Sequence, residues 1–192
     1  MNFIILHGTF GSPDGNWFPW LSKELEKIGH EVVCPQLPTP EGQNPEGWIK
    51  VIKESVEKLG GPSNEIIFIA HSMSPLSVCQ YLETIDKKIG ACFFVSGFAK
   101  MSEKDLGEYN LLNEPFIKKG VDWNKVKENC GEIVCFAGDN DPYIPFEILE
   151  EFPKLCGAKK LIVVPNGGHL NSEFGYTTFP LLLKTIREKL GI

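Results

Sequence analysis

Apolar and polar residues follow one another in blocks that predict a regular succession of strands and helices. Six short apolar runs fit buried strands, at residues 3–6, 31–34, 65–70, 91–95, 133–136 and 161–164. Between them, apolar residues at helical spacing predict helices over 17–28, 48–59, 74–85, 146–155 and 178–190. The run 65–70 is apolar on both faces, which is typical of a central parallel strand. The pattern therefore predicts a doubly wound, three-layer α/β fold with about six parallel strands.

The stretch from Lys100 to Cys130 interrupts this alternation. It is polar, contains Pro115 and Gly120, and has only a weak helical pattern. We expect a short lid or an irregular excursion over the strand ends. Because no repeat, low-complexity segment or linker divides the chain, we expect one domain over residues 1–192.

Composition narrows the possible partners and the compartment. The 192 residues are 42% hydrophobic and 23% charged, as in ordinary globular domains, and the net charge is −6. An acidic chain without a basic run disfavours nucleic acid as a partner, and no apolar stretch approaches the roughly eighteen residues of a membrane span. Residues 1–6 do not resemble a secretory leader, and none of the six cysteines forms a C-x-x-C pair. We expect a cytoplasmic protein with free cysteines that needs no metal or disulfide to fold.

Residues capable of chemistry follow four of the predicted strands. The loops at 7–11, 71–74, 138–142 and 166–169 would lie at one edge of the sheet, because parallel strands share their carboxyl edge. Open α/β sheets bind ligands beyond that edge. We therefore expect the functional site there.

The strand-to-helix turn at Ser72 is a candidate nucleophile elbow. The usual pattern is G-x-S-x-G, in which small flanking residues avoid clashes in a sharp turn. Ala70 and Ser74 hold the flanking positions here, and both are small. The alternative is that Ser72 or Ser74 merely caps the following helix.

A histidine and a carboxylate complete the candidate triad. His169 follows Gly167 and Gly168 at the end of the last strand, although an ordinary loop histidine is the alternative. Asp141, stiffened by the prolines that follow it, would orient the imidazole, with Asp139 as the second choice; either could instead be a turn residue. The chain order Ser72, Asp141, His169 is that of the α/β-hydrolases.

Acyl transfer also needs N–H groups that bind the developing oxyanion. The expected donors are Met73, directly after the nucleophile, and Thr9 in the loop after the first strand, with Phe10 as the alternative. Four aromatic residues are candidates for lining a substrate pocket: Phe10, Trp17, Phe98 and Tyr143.

The sequence resembles the retinoblastoma-binding protein 9 and YdeN-like serine hydrolases, a compact branch of the α/β-hydrolases. The motifs that carry the resemblance are His7-Gly8, Trp17, Trp20-Leu21, Leu37-Pro38-Thr39-Pro40 with Trp48, His71-Ser72, Trp123 with Asn129-Cys130, Asp141-Pro142-Tyr143-Ile144-Pro145 and Gly168-His169-Leu170-Asn171-Ser172-Glu173-Phe174. The resemblance implies a six-stranded parallel sheet without a full cap domain and a triad at Ser72, Asp141 and His169. The chain departs from the family at Ala70 and Ser74, where glycines are usual.

These observations predict a serine hydrolase that cleaves a small ester or amide through an acyl-serine intermediate, without metal or cofactor. An aromatic or apolar acyl group is the expected substrate feature. The alternative is a non-catalytic binding protein on a hydrolase scaffold with a vestigial triad. A nucleotide-binding domain is disfavoured, since no G-x-G-x-x-G or Walker sequence follows any strand.

Overall fold

The computed structural model describes residues 1–192, and its centre is one sheet of six parallel strands. The strands are β1 (Asn2–Leu6), β2 (Glu31–Val33), β3 (Ile66–His71), β4 (Ile89–Val95), β5 (Cys130–Gly138) and β6 (Lys160–Val164). Their order across the sheet is β2-β1-β3-β4-β5-β6. The chain therefore reverses its direction of growth between β1 and β3, and ligands bind at such a switch point in open α/β sheets.

Seven α-helices accompany the sheet: α1 (Phe18–Glu26), α2 (Pro45–Lys58), α3 (Ser74–Leu82), α4 (Glu108–Lys119), α5 (Trp123–Asn129), α6 (Phe146–Cys156) and α7 (Pro180–Leu190). None of these helices combines the length and the hydropathy that a membrane span requires. All six cysteines are free, and five of them are buried.

Alternating side chains of the strands form two cores, one on each face of the sheet. In β1, Phe3 and Ile5 pack in the core covered by α1 and α7, whereas Ile4 and Leu6 pack in the core covered by α2–α6. Both faces of the central strands are thus removed from water, which explains their continuous apolar sequences. The predicted three-layer α/β fold is confirmed.

The expectation of an irregular excursion over residues 100–130 is wrong for most of that stretch, because α4 and α5 lie there. The pattern of α4 is weak since only Asn113 and Phe116 are buried along it, and Pro115 lies inside the helix. Contacts distant in sequence hold α4 in place. Phe116 packs on Trp48 with ring centroids 4.8 Å apart, and the Gln80 amide donates to the Phe116 carbonyl at 2.8 Å.

We expect the substitution Phe116→Ala to lower the free energy of unfolding by about 3–5 kcal/mol, because it leaves a cavity beside Trp48. Leu111→Ala on the same helix is the matched control. Leu111 is 73% exposed, so its truncation should change stability by less than about 0.5 kcal/mol. Urea unfolding measures both values, and equal losses would contradict this account of how α4 is anchored.

Candidate active site

Ser72 lies at a sharp turn between β3 and α3. Its φ is +66°, a left-handed conformation that is uncommon for a residue with a side chain. The Ser72 N–H donates to the Val95 carbonyl at 2.9 Å, which ties the turn to the end of β4. The serine hydroxyl thereby reaches a cavity at the carboxyl edge of the sheet.

The turn is supported from below by Ser74 and Gly8. The buried Ser74 hydroxyl accepts from the His71 N–H at 3.0 Å and lies 3.0 Å from the Leu6 carbonyl oxygen, to which it can donate. A Cβ at Gly8 would lie 2.6 Å from the Ser72 Cβ, so only glycine fits there without displacement. The loop after β1 therefore passes directly beside the Ser72 side chain.

His169 connects Ser72 to Asp141. The His169 Nε2 lies 3.1 Å from the Ser72 Oγ, and its Nδ1 lies 2.6 Å from the Asp141 Oδ2. The Asp141 side chain is fully buried, and its Oδ1 accepts from the N–H groups of Tyr143 and Ile144 at 2.9 and 3.1 Å. Burial alone would raise the pKa of Asp141, but the hydrogen bonds from His169 and these N–H groups outweigh it and hold the pKa below its usual value.

Asp139, the second choice for the triad carboxylate, bonds to the backbone of a neighbouring loop. Its Oδ1 accepts from the Asn166 N–H at 2.7 Å, and the neighbouring Asn140 accepts from the Gly168 N–H at the same distance. Both side chains fix the backbone of the loop that carries His169. Asp139 is a loop-bracing residue, and Asp141 is the carboxylate that contacts the imidazole.

Buried side chains fix the backbone at His169 by hydrogen bonds. Its carbonyl accepts hydrogen bonds from the His71 Nε2 at 2.9 Å and from the Ser96 hydroxyl at 3.1 Å. Next along the chain, the Leu170 carbonyl accepts from the Trp17 indole at 3.0 Å. Burial and the neighbouring His169 lower the pKa of His71 to about 3, so this buried ring is neutral and donates through Nε2.

The backbone N–H groups of Thr9 and Met73 make no hydrogen bond within the protein. The N–H of Phe10, the alternative donor, is already bound to the Thr39 hydroxyl at 2.8 Å. Thr9 lines the cavity beside Ser72. Met73 is fully buried and does not line the cavity. The role of the Thr9 and Met73 N–H groups as donors to an oxygen at the serine stays a prediction.

The cavity above Ser72 has a volume of about 170 Å³. Its lining consists of Gly8, Thr9, Phe10, Gly11, Asn16, His71, Ser72, Tyr109, Tyr143, His169, Asn171 and Glu173. The expectation for Trp17 and Phe98 is wrong: both are almost fully buried, in the two cores, and neither lines the cavity. Trp17 instead braces the loop after His169.

Several lining residues were not predicted. Tyr109 lies on α4, where the sequence gives no sign that its ring stacks on Tyr143 at 6.2 Å between centroids. Asn171 and Glu173 stand two and four residues after His169, and that proximity could have identified them. The Tyr143 hydroxyl donates to the Glu173 carboxylate, which closes one side of the cavity. No group of three or more His, Cys, Asp or Glu side chains is arranged to hold a metal ion.

Comparisons with known proteins show the family of the chain and relatives of its fold. A family model described as serine hydrolase matches residues 3–188. The serine hydrolase RBBP9 of Rattus norvegicus is 26% identical over 159 residues, covering 82% of this chain and 80% of the relative. The ydeN gene product of B. subtilis superposes with a TM-score of 0.88 at 23% identity, covering 100% of this chain and 99% of that structure. Est1E from Butyrivibrio proteoclasticus, with ferulic acid bound, covers 100% of this chain and 90% of that structure, with a TM-score of 0.75 at 16% identity.

The neutral, buried His71 predicts a loss of stability in mild acid. The unfolded chain takes up a proton near pH 6.5, whereas the folded protein excludes it down to about pH 3. Lowering the pH from 7 to 5 therefore reduces the free energy of unfolding by about 2 kcal/mol through this group alone.

The substitution His71→Gln keeps an amide donor for the His169 carbonyl and cannot titrate. We expect its loss of stability between pH 7 and pH 5 to be about 2 kcal/mol smaller than that of the unsubstituted protein, measured by urea unfolding. His7, which is also buried with a lowered pKa, is present in both proteins, so its effect cancels. Parallel stability curves would contradict the neutral state of His71.

Proposed function

The chain belongs to the serine hydrolase family, and we propose that it cleaves small esters or amides with Ser72 as nucleophile, His169 as general base and Asp141 as the group that orients the histidine. The observation that carries the proposal is the continuous chain of short contacts from Ser72 Oγ through the imidazole to Asp141. A buried carboxylate with a lowered pKa stays charged and favours the imidazolium that forms during the reaction.

The first chemical step forms an acyl-serine. The Ser72 hydroxyl transfers its proton to the His169 Nε2 while its oxygen bonds to the substrate carbonyl carbon. The carbonyl oxygen becomes an oxyanion, which accepts from the Thr9 and Met73 N–H groups; one such donor contributes roughly 3–4 kcal/mol. His169 then protonates the leaving alcohol or amine as the bond to it breaks.

The second step releases the acid. A water molecule gives a proton to the neutral His169 and attacks the acyl carbon, and the tetrahedral intermediate collapses with the Ser72 oxygen as leaving group. That oxygen regains its proton from the imidazolium. The enzyme returns to its starting state, and every proton transfer uses His169.

The cavity supports a small substrate with an aromatic or apolar group. About 170 Å³ accommodates a compact acyl group. Aromatic rings from three separate segments, Phe10, Tyr109 and Tyr143, form part of its lining, beside polar residues that include Asn171 and Glu173. Phe10 and Tyr109 meet edge to face with centroids 4.8 Å apart. Such rings offer flat apolar surface to an acyl chain or arene.

The alternative of a vestigial triad has no structural feature in its favour. A non-catalytic protein need not keep Ser72 at a strained φ or within hydrogen-bond reach of a histidine. Here the serine keeps φ +66° and the hydrogen bond to the imidazole, with Ala70 and Ser74 at its flanks.

We infer further that residues 1–192 act as one domain, and the buried free thiols agree with a reducing cytoplasm.

Covalent labelling tests the nucleophile. We expect a fluorophosphonate to add once to the purified protein, with the adduct seen by intact mass. Ser72→Ala should abolish it, because Ser72 is the serine whose hydroxyl contacts the His169 imidazole. Ser63→Ala, in the loop before β3, is the matched control and should label normally. Equal labelling of the Ser72→Ala variant would refute the assignment.

The two aspartates after β5 provide a second test. We expect Asp141→Asn to lower kcat for an activated ester by roughly 10³–10⁴-fold, because the amide disfavours the required imidazole tautomer. Asp139→Asn keeps an oxygen that can accept from the Asn166 N–H, so its kcat should remain close to that of the unsubstituted enzyme. Steady-state kinetics on p-nitrophenyl acetate distinguish them, and the reverse ranking would move the role to Asp139.

A further inference from the structure

The loop that carries the Thr9 N–H is not part of any strand or helix. Within itself it has a single backbone hydrogen bond, from the Gly11 N–H to the Gly8 carbonyl at 3.0 Å. His7 adds a contact of its ring Nδ1 with that same carbonyl at 2.9 Å. These bonds restrain Gly8 but leave Thr9 and Phe10 without support from the loop. Their orientation depends on groups outside it.

Those groups converge on one buried side chain, that of Gln43 before α2. The Gln43 amide nitrogen donates to the Thr9 hydroxyl oxygen at 2.9 Å, and its amide oxygen accepts from the Thr39 hydroxyl at 2.6 Å. Thr39 in turn accepts from the Phe10 N–H at 2.8 Å, while the Thr9 hydroxyl donates to the Asn113 oxygen at 2.5 Å. Two consecutive residues of the loop are thus tied to Gln43, one directly and one through Thr39.

The donors and acceptors of this network allow only one orientation of the Gln43 amide. Its nitrogen faces three acceptors: the Thr9 hydroxyl oxygen, the Asn113 side-chain oxygen at 3.3 Å and the Leu112 carbonyl at 3.2 Å. A flipped amide would place its oxygen against the Leu112 carbonyl, which cannot donate to it. Because Gln43 and Asn113 are only 9% and 6% exposed, water cannot readily replace these bonds.

We propose that Gln43 is the positioning residue of the oxyanion hole: its amide holds Thr9 and Phe10 so that the Thr9 N–H, and not the Phe10 N–H, faces the oxygen that forms at Ser72. This inference rests on the proposed function. Gln43 does not line the cavity above Ser72 and acts only through the loop. A change at Gln43 would shift the position of the Thr9 N–H, and misplacement of such a donor lowers kcat, the rate of the chemical step.

The test replaces Gln43 with methionine, which has similar length and no amide. With p-nitrophenyl acetate, we expect kcat of Gln43→Met to fall roughly 10- to 100-fold, because a displaced donor stabilises the transition state poorly. KM and the pH profile of kcat should change little, since Gln43 does not itself line the cavity and the triad is unchanged. Inhibition by trifluoroacetophenone, whose hemiketal with the serine carries its oxygen in the hole, should weaken by a similar factor.

Gln80→Met is the matched control. Gln80 is fully buried, and its amide, like that of Gln43, bonds to α4, here through the carbonyls of Phe116 and Gly120 at 2.8 and 3.3 Å. It has no contact with the loop after β1. We expect this variant to lose stability in urea unfolding but to keep kcat, which separates positioning of the loop from general support of α4.

Thr39→Val provides a second variant in case Gln43→Met does not fold. It removes only the half-buried hydroxyl that joins Gln43 to Phe10, and we expect a smaller fall in kcat with KM retained. If Gln43→Met folds and keeps its kcat, the inference is overturned. If Gln43→Met does not fold, an unchanged kcat in Thr39→Val overturns it. In both cases labelling of Ser72 in the unsubstituted protein would leave the proposed function standing. Failure of the unsubstituted protein to label at Ser72 would overturn the proposed function and this inference with it.

Discussion

The close approach of Gly8 to Ser72 is the constraint on which the rest of the site depends. No room exists for a Cβ at Gly8, so the loop after β1 and the turn after β3 lie in contact at the point where the sheet order reverses. That contact sets the distance between the serine oxygen and the free N–H of Thr9. It is possible only because β1 and β3 are neighbouring parallel strands, with Leu6 paired to Ala70.

Unfavourable backbone conformations are concentrated at this same edge. The non-glycine residues with positive φ are Phe10, Asn16, Ser72, Ser96, Asn166 and Leu170. Each such residue costs of order 1–3 kcal/mol and persists only where its surroundings hold it. The Phe10 N–H donates to the Thr39 hydroxyl, the Asn166 N–H donates to the Asp139 carboxylate, and the Trp17 indole donates to the Leu170 carbonyl. These bonds supply that support. The two buried cores thus stabilise an edge that is strained by itself.

The sequence predicted those features that depend on local pattern and strand order. The strands are short apolar runs, and Ser72, Asp141 and His169 each follow a strand, so their meeting at one edge follows from a parallel sheet. Features that depend on contacts between distant segments were not predictable. α4 is held by Trp48 and Gln80, and nothing near Trp17 in the sequence indicates whether its ring turns toward the cavity or the core.

The departure at the elbow shows how a local substitution can be accommodated by a long-range bond. Glycine is usual where Ser74 stands, because little space is left beneath a sharp turn. The Ser74 hydroxyl uses that space for polar contacts: it accepts from the His71 N–H and lies 3.0 and 2.9 Å from the carbonyl oxygens of Leu6 and His71. Glycine could make none of these contacts. Since Leu6 ends β1 and His71 ends β3, the hydroxyl joins the same two strands whose loops meet at Gly8 and Ser72. The residue that departs from the usual motif therefore reinforces the contact on which the site is built.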